Sequence, residues 1–140
     1  MTTRALVFDF GTRKIGVAAA NRASQTTTPL STLPAHDGVP DWRAIQALIR
    51  DWQPEVLVLG LPRNTDGSDS VMTERARVFG RWLAMKSTLP VEEIDERFTS
   101  TEAEEVLRDQ RRDGTRTSRV RPEDIDRMAA RLMAETWCRP

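Results

Sequence analysis

Three carboxylates occupy positions from which they could do chemistry together. Asp9 follows the apolar run "ALVF", Glu96 closes the segment "VEEIDE", and Asp126 lies one turn into a C-terminal helical segment. A carboxylate within a buried strand is costly unless a cation compensates it. Oxygen ligands suit Mg²⁺ or Mn²⁺, and two such ions can activate a water and stabilise the leaving oxygen of a phosphodiester. If the fold brings these acids together, the sequence favours a divalent-metal site for phosphodiester hydrolysis.

Each acid also has an ordinary structural interpretation, which the sequence leaves open. Asp126 could stabilise the N-terminus of its helix electrostatically, and Glu96 could pair with Arg97 or with another arginine. Asp9 is harder to explain in this way, because its immediate neighbours are apolar. The one histidine, His36, lies in a polar stretch flanked by proline and glycine and is predicted on a surface loop. Water activated by a metal is therefore the more natural base.

The elements that would position these acids alternate between strand and helix. "RALVFDF" and "KIGVAAA" flank "GTR" and predict an antiparallel hairpin, and "TTTPLSTLPA" predicts a third strand in which Pro29 indicates an edge or irregular position. "DWRAIQALIRDW" predicts a helix capped by Asp41, "EVLVLGLP" a strand buried on both faces, and residues 71–85 an amphipathic helix. "VEEID" predicts a further strand, "ERFTSTEAEEVLRDQ" leads into a helix, and Pro122 opens the last helix.

The resulting order, β-β-β-α-β-α-β-α, is the element order of a ribonuclease H-like domain. We therefore predict a single α/β domain over residues 1–140, with a five-stranded mixed sheet and helices on both faces. The first three strands of this sheet should be antiparallel. The alternation of helix and strand in the second half implies parallel pairing there.

Composition restricts the class of protein. Hydrophobic residues make up 39% and charged residues 30% of the 140 residues, as in ordinary globular proteins, and a single cysteine excludes an internal disulfide. No leader and no apolar stretch of about 20 residues is present, so we expect a cytoplasmic protein without a membrane partner. The net charge is zero, but "RDQRRDGTRTSRVR" holds six arginines. This connector is either a phosphate-binding arm or the result of an arginine-biased composition.

Four segments resemble the bacterial Holliday junction resolvase-like pre-16S ribosomal RNA nucleases (the YqgF family). They are "DFGTRKIGVA" at residues 9–18, "VLGLPRNTDGS" at 58–68, "IDERFTS" at 94–100 and "IDRMAARL" at 125–132. The resemblance implies a metal-dependent nuclease that uses Mg²⁺ or Mn²⁺ and matures the 5′ end of pre-16S ribosomal RNA. It implies that Asp9, Glu96 and Asp126 are the catalytic, metal-binding acids. Asp95 and Asp124 are candidates for a fourth acid.

Several polar and cationic residues are candidates for substrate binding. At the first turn, Thr12, Arg13 and Lys14 could face a phosphate or could form an exposed hairpin tip. The loop after the fourth strand could contact substrate or could be a loop cap without a ligand. The further candidates lie in this loop, beside the second acid and in the connector: Arg63, Asn64, Arg97, Arg112, Arg116 and Arg119. Neutralising several phosphates would make binding steeply salt-dependent.

Other functions fit parts of the sequence. By fold kinship the substrate could be branched DNA, which a Holliday junction resolvase-like endonuclease would cut. A non-catalytic nucleic-acid-binding factor in ribosome biogenesis or transcription would need the arginines but not three converging acids. An actin-like ATPase or sugar kinase would share "DFGT" at residues 9–12, but such enzymes need two domains around the nucleotide. Ribosome-assembly components are further candidate partners, and the sequence leaves a monomer and a homodimer open.

Overall fold

The computed structural model describes residues 2–64, 66–96 and 122–139. The strands are β1 (Arg4–Asp9), β2 (Lys14–Asn21), β3 (Thr26–His36), β4 (Val39–Pro40), β5 (Val56–Pro62) and β6 (Val91–Glu96). The helices are α1 (Trp42–Trp52), which follows β4, α2 (Val71–Ser87), which follows β5, and α3 (Pro122–Cys138). The helix predicted within residues 97–110 lies outside the described residues. None of the helices that the structure describes is long and apolar enough to cross a membrane.

The six strands form one mixed sheet in the order β4-β3-β2-β1-β5-β6. Neighbours among β1, β2, β3 and β4 are antiparallel, whereas β5 is parallel to both β1 and β6. The predicted mixed sheet, with its first three strands antiparallel, is therefore confirmed. The predicted number of five strands is wrong by one, because β4 adds a sixth.

The additional strand follows a two-residue turn. Asp37 and Gly38 have φ values of 48° and 83°, and the turn pairs His36 with Val39. An Asp-Gly pair suits such a hairpin turn because both residues tolerate the left-handed region. β4 is only two residues long, so no alternation of apolar and polar residues could reveal it. His36, predicted on a surface loop, is exposed but is the last residue of β3.

Two hydrophobic layers enclose the sheet. Alternate residues of β1 contact opposite layers, since Phe8 packs towards α1 and α2 while Val7 packs towards α3. The predicted placement of helices on both faces is thus confirmed. Asp41 caps α1 as predicted, because its carboxylate accepts a hydrogen bond from the backbone N–H of Arg43 at 3.0 Å. Pro29 lies where the β2–β3 register shifts, which confirms its predicted irregular position.

Glu55 fastens the amino-terminal ends of β1 and β5 together. Its carboxylate oxygen Oε1 accepts hydrogen bonds from the backbone N–H groups of Thr3 and Arg4, each at 3.2 Å. The Glu55 N–H in turn donates to the carbonyl of Arg4 at 3.0 Å. The backbone N–H groups of Arg4 and Thr3 hold the pKa of Glu55 below its ordinary value, because they favour the charged carboxylate.

Replacing Glu55 by glutamine should lower the melting temperature at neutral pH but not in acid. Since the pKa is lower in the folded than in the unfolded chain, the stabilisation is complete above the unfolded value of about 4.3 and is lost as the pH falls through the folded value. Thermal melts of wild type and Glu55→Gln from neutral pH to about pH 3 measure this. An exposed glutamate of β6, Glu93, provides the control substitution. A difference in melting temperature that stayed constant over this range would contradict the assignment.

Candidate active site

The carboxyl ends of three parallel strands meet at one edge of the sheet. This is the edge at which open α/β sheets bind ligands. Asp9, the last residue of β1, pairs with Gly60 of β5, and Gly60 pairs with Ile94 of β6. Glu96 lies two residues further along β6, opposite Pro62. The first two predicted acids therefore end strands that are separated only by β5.

Asp9 lies between two glycines in the sheet. Gly16 of β2 is its register partner on one side, and Gly60 of β5 is its partner on the other. Paired residues of neighbouring strands direct their side chains to the same face. These two positions consequently put no side chain beside the half-buried Asp9 carboxylate. Glycines inside strands mark places where a ligand or another backbone approaches closely.

Strand alternation separates Asp9 from Asp95. Asp9 is two residues from Val7, which packs in the layer beneath α3. In β6, Ile94 packs against that same layer, whereas Val91 packs against the layer beneath α1 and α2. Asp95 therefore lies on the α2 face of the sheet. This position argues against Asp95 as the fourth acid of a site built around Asp9.

The C-terminal end of α3 lies at the beginning of β1, so we expect the N-terminal turns of the helix nearer the edge that holds Asp9. Near its C-terminus, the Trp137 carbonyl accepts a hydrogen bond from Nε of Arg22 at 3.0 Å, and the Arg22 guanidinium stacks 3.8 Å from the centre of the indole. The Arg22 N–H donates to the carbonyl of Thr3 at 2.9 Å. The indole N–H donates to Glu92 at 3.4 Å. Trp137 is thus level with the beginning of β1 and β6.

From the lengths of α3 and β1 we expect Asp126 close to the level of Asp9. From residue 137 back to residue 126 the helix rises about 16 Å, and from residue 3 to residue 9 the strand advances about 20 Å. Asp126 precedes Ala130 by about one helical turn, so the two positions share one face of α3. The residues predicted on this face are buried against the sheet: Ala129, Ala130, Met133 and Trp137.

The structure thus places residues 9 and 96 at the same edge of the sheet, and we expect residue 126 to lie beside them. The side chains of Glu96 and Asp126 lie outside the described residues. Within the side chains that the structure does describe, no group of three His, Cys, Asp or Glu residues could hold a metal ion. Because two of the three proposed ligands are not among these side chains, the metal cluster stays a prediction.

The hairpin after Asp9 is fixed by the β3–β4 turn. The carbonyl of Thr12 accepts from the N–H of Gly38 at 2.8 Å, and the carbonyl of Arg13 accepts from the N–H of Ala35 at 2.7 Å. The side chains of Arg13 and Lys14 are exposed. The geometry leaves both cations at the surface beside the carboxyl edge, and their contact with substrate stays a prediction.

Asn64 braces the loop between β5 and α2. Its backbone N–H donates to the Ser68 carbonyl at 3.0 Å, and its side-chain amide donates to Oγ of Ser68, also at 3.0 Å. The Asp66 carboxylate accepts from the N–H of Ser68 at 2.9 Å, and Gly67 has a φ of 87° that favours glycine. Asn64 is therefore part of the loop's own framework, and its predicted role towards substrate stays a prediction.

Arg63 lies within a charged network on the α2 face. Its Nε is 3.6 Å from a carboxylate oxygen of Asp95 and 3.7 Å from one of Asp69. Arg77 of α2 donates to Asp69 at 2.7 Å, and this hydrogen bond holds the pKa of Asp69 below its ordinary value. The network ties β6, the loop and α2 together. The predicted contact of Arg63 with substrate stays a prediction.

The remaining candidates for substrate binding lie outside the described residues. They are the arginine beside the second acid and three arginines of the connector: Arg97, Arg112, Arg116 and Arg119.

A comparison with protein families supplies the identity of this fold. The sequence model of the RuvX family, described as Holliday junction resolvase, matches residues 3–139. The chain belongs to the RuvX family. This membership confirms the resemblance carried by the four sequence segments.

The RuvX chain also resembles individual proteins over most of its length. It is 46% identical over 142 residues to a Marinobacter nauticus protein named "Putative pre-16S rRNA nuclease", covering 97% of this chain and 92% of the relative. Its fold resembles the yeast mitochondrial Holliday junction resolvase Ydc2, with a TM-score of 0.52, 15% identity, and coverage of 98% and 78%. It also resembles Thermus thermophilus RuvC in complex with a Holliday junction substrate, with a TM-score of 0.50, 15% identity, and coverage of 93% and 90%. These structures confirm the ribonuclease H-like fold.

Sequence reasoning missed the pair of glycines beside Asp9. Each glycine lies inside a strand-like run, in "KIGVA" and in "VLGLP". A glycine in such a run can indicate a close approach of another group, and this is the signal that the sequence offers. That Gly16 and Gly60 are level with Asp9 depends on strand register, which neither run specifies.

Replacing Gly11 by alanine should destabilise the hairpin that follows Asp9. An added Cβ would lie 2.4 Å from the carbonyl oxygen of Lys14, so the backbone would have to shift, at a cost of about 1–3 kcal/mol. Denaturant unfolding measures the change.

The matched control for this variant is Gly80→Ala in α2. There the added Cβ would lie 2.9 Å from the end of the Leu59 side chain and 3.8 Å from Val91, and the tip of a side chain can shift more easily than backbone. Alanine also gains about 1 kcal/mol of helix propensity over glycine, so we expect little net change. A Gly11→Ala variant as stable as wild type would contradict the close approach of the Lys14 carbonyl oxygen to residue 11.

Proposed function

We propose that this chain is a divalent-metal-dependent nuclease of one domain that takes part in 5′-end maturation of pre-16S ribosomal RNA. The observation that carries the proposal is that residues 9 and 96 end β1 and β6 at the carboxyl edge of the parallel strands, on either side of β5. Membership of the RuvX family supports nuclease chemistry. The name of the Marinobacter nauticus relative supports the ribosomal RNA precursor as substrate. A cytoplasmic location and ribosome-assembly partners would follow from that substrate.

The residues at this edge fit a hard divalent ion. Asp9 is half-buried between two residues without side chains, and carboxylate oxygens are the ligands that Mg²⁺ and Mn²⁺ prefer. We infer that Glu96 and Asp126 complete the ligand set. Alternation along β6 supports Glu96, because Ile94, two residues before it, packs in the α3 layer. When bound, such ions would supply Lewis-acid activation of water and neutralise charge on the scissile phosphate.

The surrounding cations would bind and orient the strand. Arg13 and Lys14 are exposed on the hairpin that begins beside Asp9, where they could contact phosphates next to the cleaved bond. Arginines of the connector, with Arg112 among them, would neutralise further phosphates and make binding depend steeply on salt. Arg63 is paired with Asp95 and Asp69, so it would act on substrate mainly by holding the loop in position.

Branched DNA is the second candidate substrate. The RuvX family model is described as Holliday junction resolvase, Ydc2 is named a Holliday junction resolvase, and RuvC was solved in complex with a Holliday junction substrate. Contacts to phosphates and recognition of strand shape are available to a protein that binds either RNA or branched DNA. The choice between the two substrates therefore needs a direct comparison.

Replacing Asp9 by asparagine should abolish cleavage while leaving the fold intact. Loss of one carboxylate ligand should lower the cleavage rate by more than about 100-fold, because the metal-binding charge is removed. The assay measures cleavage of a pre-16S ribosomal RNA fragment and of a four-way DNA junction, with Mg²⁺, with Mn²⁺ and with a chelator.

Asp95→Asn is the matched control, because it removes a carboxylate from the same edge but from the α2 face. We expect its cleavage rate to remain within a few-fold of wild type. Equal losses in both variants would contradict the assignment of faces, and full activity in Asp9→Asn would refute the proposed catalytic role. Faster cleavage of the junction than of the RNA would reverse the choice of substrate.

A further inference from the structure

Thr32 of β3 carries a hydroxyl group that is buried without a hydrogen-bond partner. Among the residues that the structure describes, the buried side-chain polar atoms without such a partner are Oγ1 of Thr32 and Nε of Arg63. The Arg63 Nε is compensated by carboxylate oxygens of Asp95 and Asp69 at 3.6 and 3.7 Å. The Thr32 hydroxyl is neutral and gains no such compensation. A buried polar group that is left unpaired destabilises a fold, so this hydroxyl indicates a role in binding.

The strand register places Thr32 in the same row as Asp9. Thr32 pairs with Gly16 of β2, and Gly16 pairs with Asp9 of β1. On its other side Asp9 pairs with Gly60 of β5. Across β5, β1, β2 and β3 the row is therefore Gly60, Asp9, Gly16 and Thr32. Of these four positions, only those of Asp9 and Thr32 carry side chains.

Both of these side chains lie on the α3 face of the sheet. Leu33 and Ile15 form the neighbouring pair of β3 and β2, and both pack in the layer beneath α1 and α2. Because successive residues of a strand alternate between the two faces, Thr32 lies on the opposite face. The same alternation puts Asp9 on that face, since Val7 packs in the layer beneath α3.

Gly16 leaves space between the two polar side chains. Because it has no Cβ, β2 contributes no side chain between the Asp9 carboxylate and the Thr32 hydroxyl at this level. Two strand spacings separate the backbones of Asp9 and Thr32 by about 10 Å, which is too far for a direct hydrogen bond between such short side chains. Mg²⁺ and Mn²⁺ keep several waters when they bind to proteins. A hydrated ion is therefore a suitable group to span this distance.

We propose that Thr32 is a positioning residue of the metal site, whose hydroxyl hydrogen-bonds a water in the hydration shell of the divalent ion beside Asp9. The inference rests on the proposed function, because that function supplies the ion. In the free chain the hydroxyl is unpaired, and it gains its partner when the hydrated ion binds. Hydrogen bonds that surround a metal site orient its ligands and raise its affinity. Thr32 thus contributes to metal binding and not to the folding of the free chain.

Isothermal titration calorimetry of the metal-free full chain with Mn²⁺ measures this contribution. Thr32→Val replaces the hydroxyl by a methyl group of similar size, so we expect the dissociation constant for Mn²⁺ to rise about tenfold. Thr32→Ser keeps a hydroxyl at the same position and should bind Mn²⁺ within a few-fold of wild type.

The matched control is Thr27→Val in the same strand. Thr27 is half-buried like Thr32, and its partner Ala20 packs in the layer beneath α3, so both threonines lie on one face. Ala20, however, is paired with Ala5 at the beginning of β1 and not with Asp9. Thr27→Val should therefore bind Mn²⁺ as tightly as wild type.

Thermal melts in the presence of a chelator separate this role from a structural one. Since the hydroxyl is unpaired in the free chain, valine removes an unsatisfied polar group, and the melting temperature of Thr32→Val should be at least that of wild type. A hydroxyl that supported the fold would give a lower melting temperature on the same substitution. At one fixed, saturating concentration of Mn²⁺, the rise in melting temperature should be smaller for Thr32→Val than for wild type.

Three results would overturn the assignment of Thr32 and leave the metal site intact. The first is an unchanged Mn²⁺ affinity in Thr32→Val while Asp9→Asn loses binding. The second is an equal loss of affinity in Thr32→Val and in either Thr32→Ser or Thr27→Val. The third is a melting temperature of Thr32→Val in chelator that falls below that of wild type. A wild-type chain that binds no Mn²⁺ would overturn the metal site itself and this inference with it.

Discussion

Asp9 is the last residue of β1, and the four residues before it are each no more than 3% exposed. Its carboxylate therefore lies where removing water from a charged group begins to cost free energy. The fold keeps this charge half-buried at the sheet edge and surrounds its backbone with two glycines. On the α3 side, Ala130 and Ala134 are completely buried, because small side chains let the helix approach the sheet closely. The same close packing supports the proposed placement of residue 126 near the level of residue 9. The divalent ion proposed for this edge would compensate the charge of Asp9.

The two faces of the sheet divide the charged residues between structural and chemical tasks. On the α2 face, Arg63, Asp69, Asp95 and Arg77 contact one another and hold the loop after β5 against α2 and β6. On the α3 face, the carboxyl edge receives Asp9 and the positions proposed for its co-ligands. Because neighbouring residues of a strand project to opposite faces, the α2-face position of Asp95 is consistent with the proposed assignment of the next residue to the α3 face.

Much of this architecture is predictable from the sequence, because apolar runs of strand length and helical periodicity mark most of the elements. The burial of Ala129, Ala130 and Met133 follows from spacing alone. β4 could not be predicted from periodicity, since two residues have no period, although the Asp-Gly pair before it is a hairpin signal. The assignment of Asp95 to the α2 face required the packing of Val91 and Ile94 in the same strand. Gly16 and Gly60 lie beside Asp9 only because of the strand register, which is set by tertiary packing.

The central claim is that residues from β1, β6 and α3 share one divalent ion. Anomalous diffraction from crystals of the full chain soaked in Mn²⁺ tests this claim most directly, because it locates the ion without relying on activity. The account predicts a peak within about 2.2 Å of carboxylate oxygens of Asp9, Glu96 and Asp126, close to the bond lengths of hard divalent ions. A peak held by Asp95 on the α2 face, or no peak beside Asp9 at saturating Mn²⁺, would contradict it.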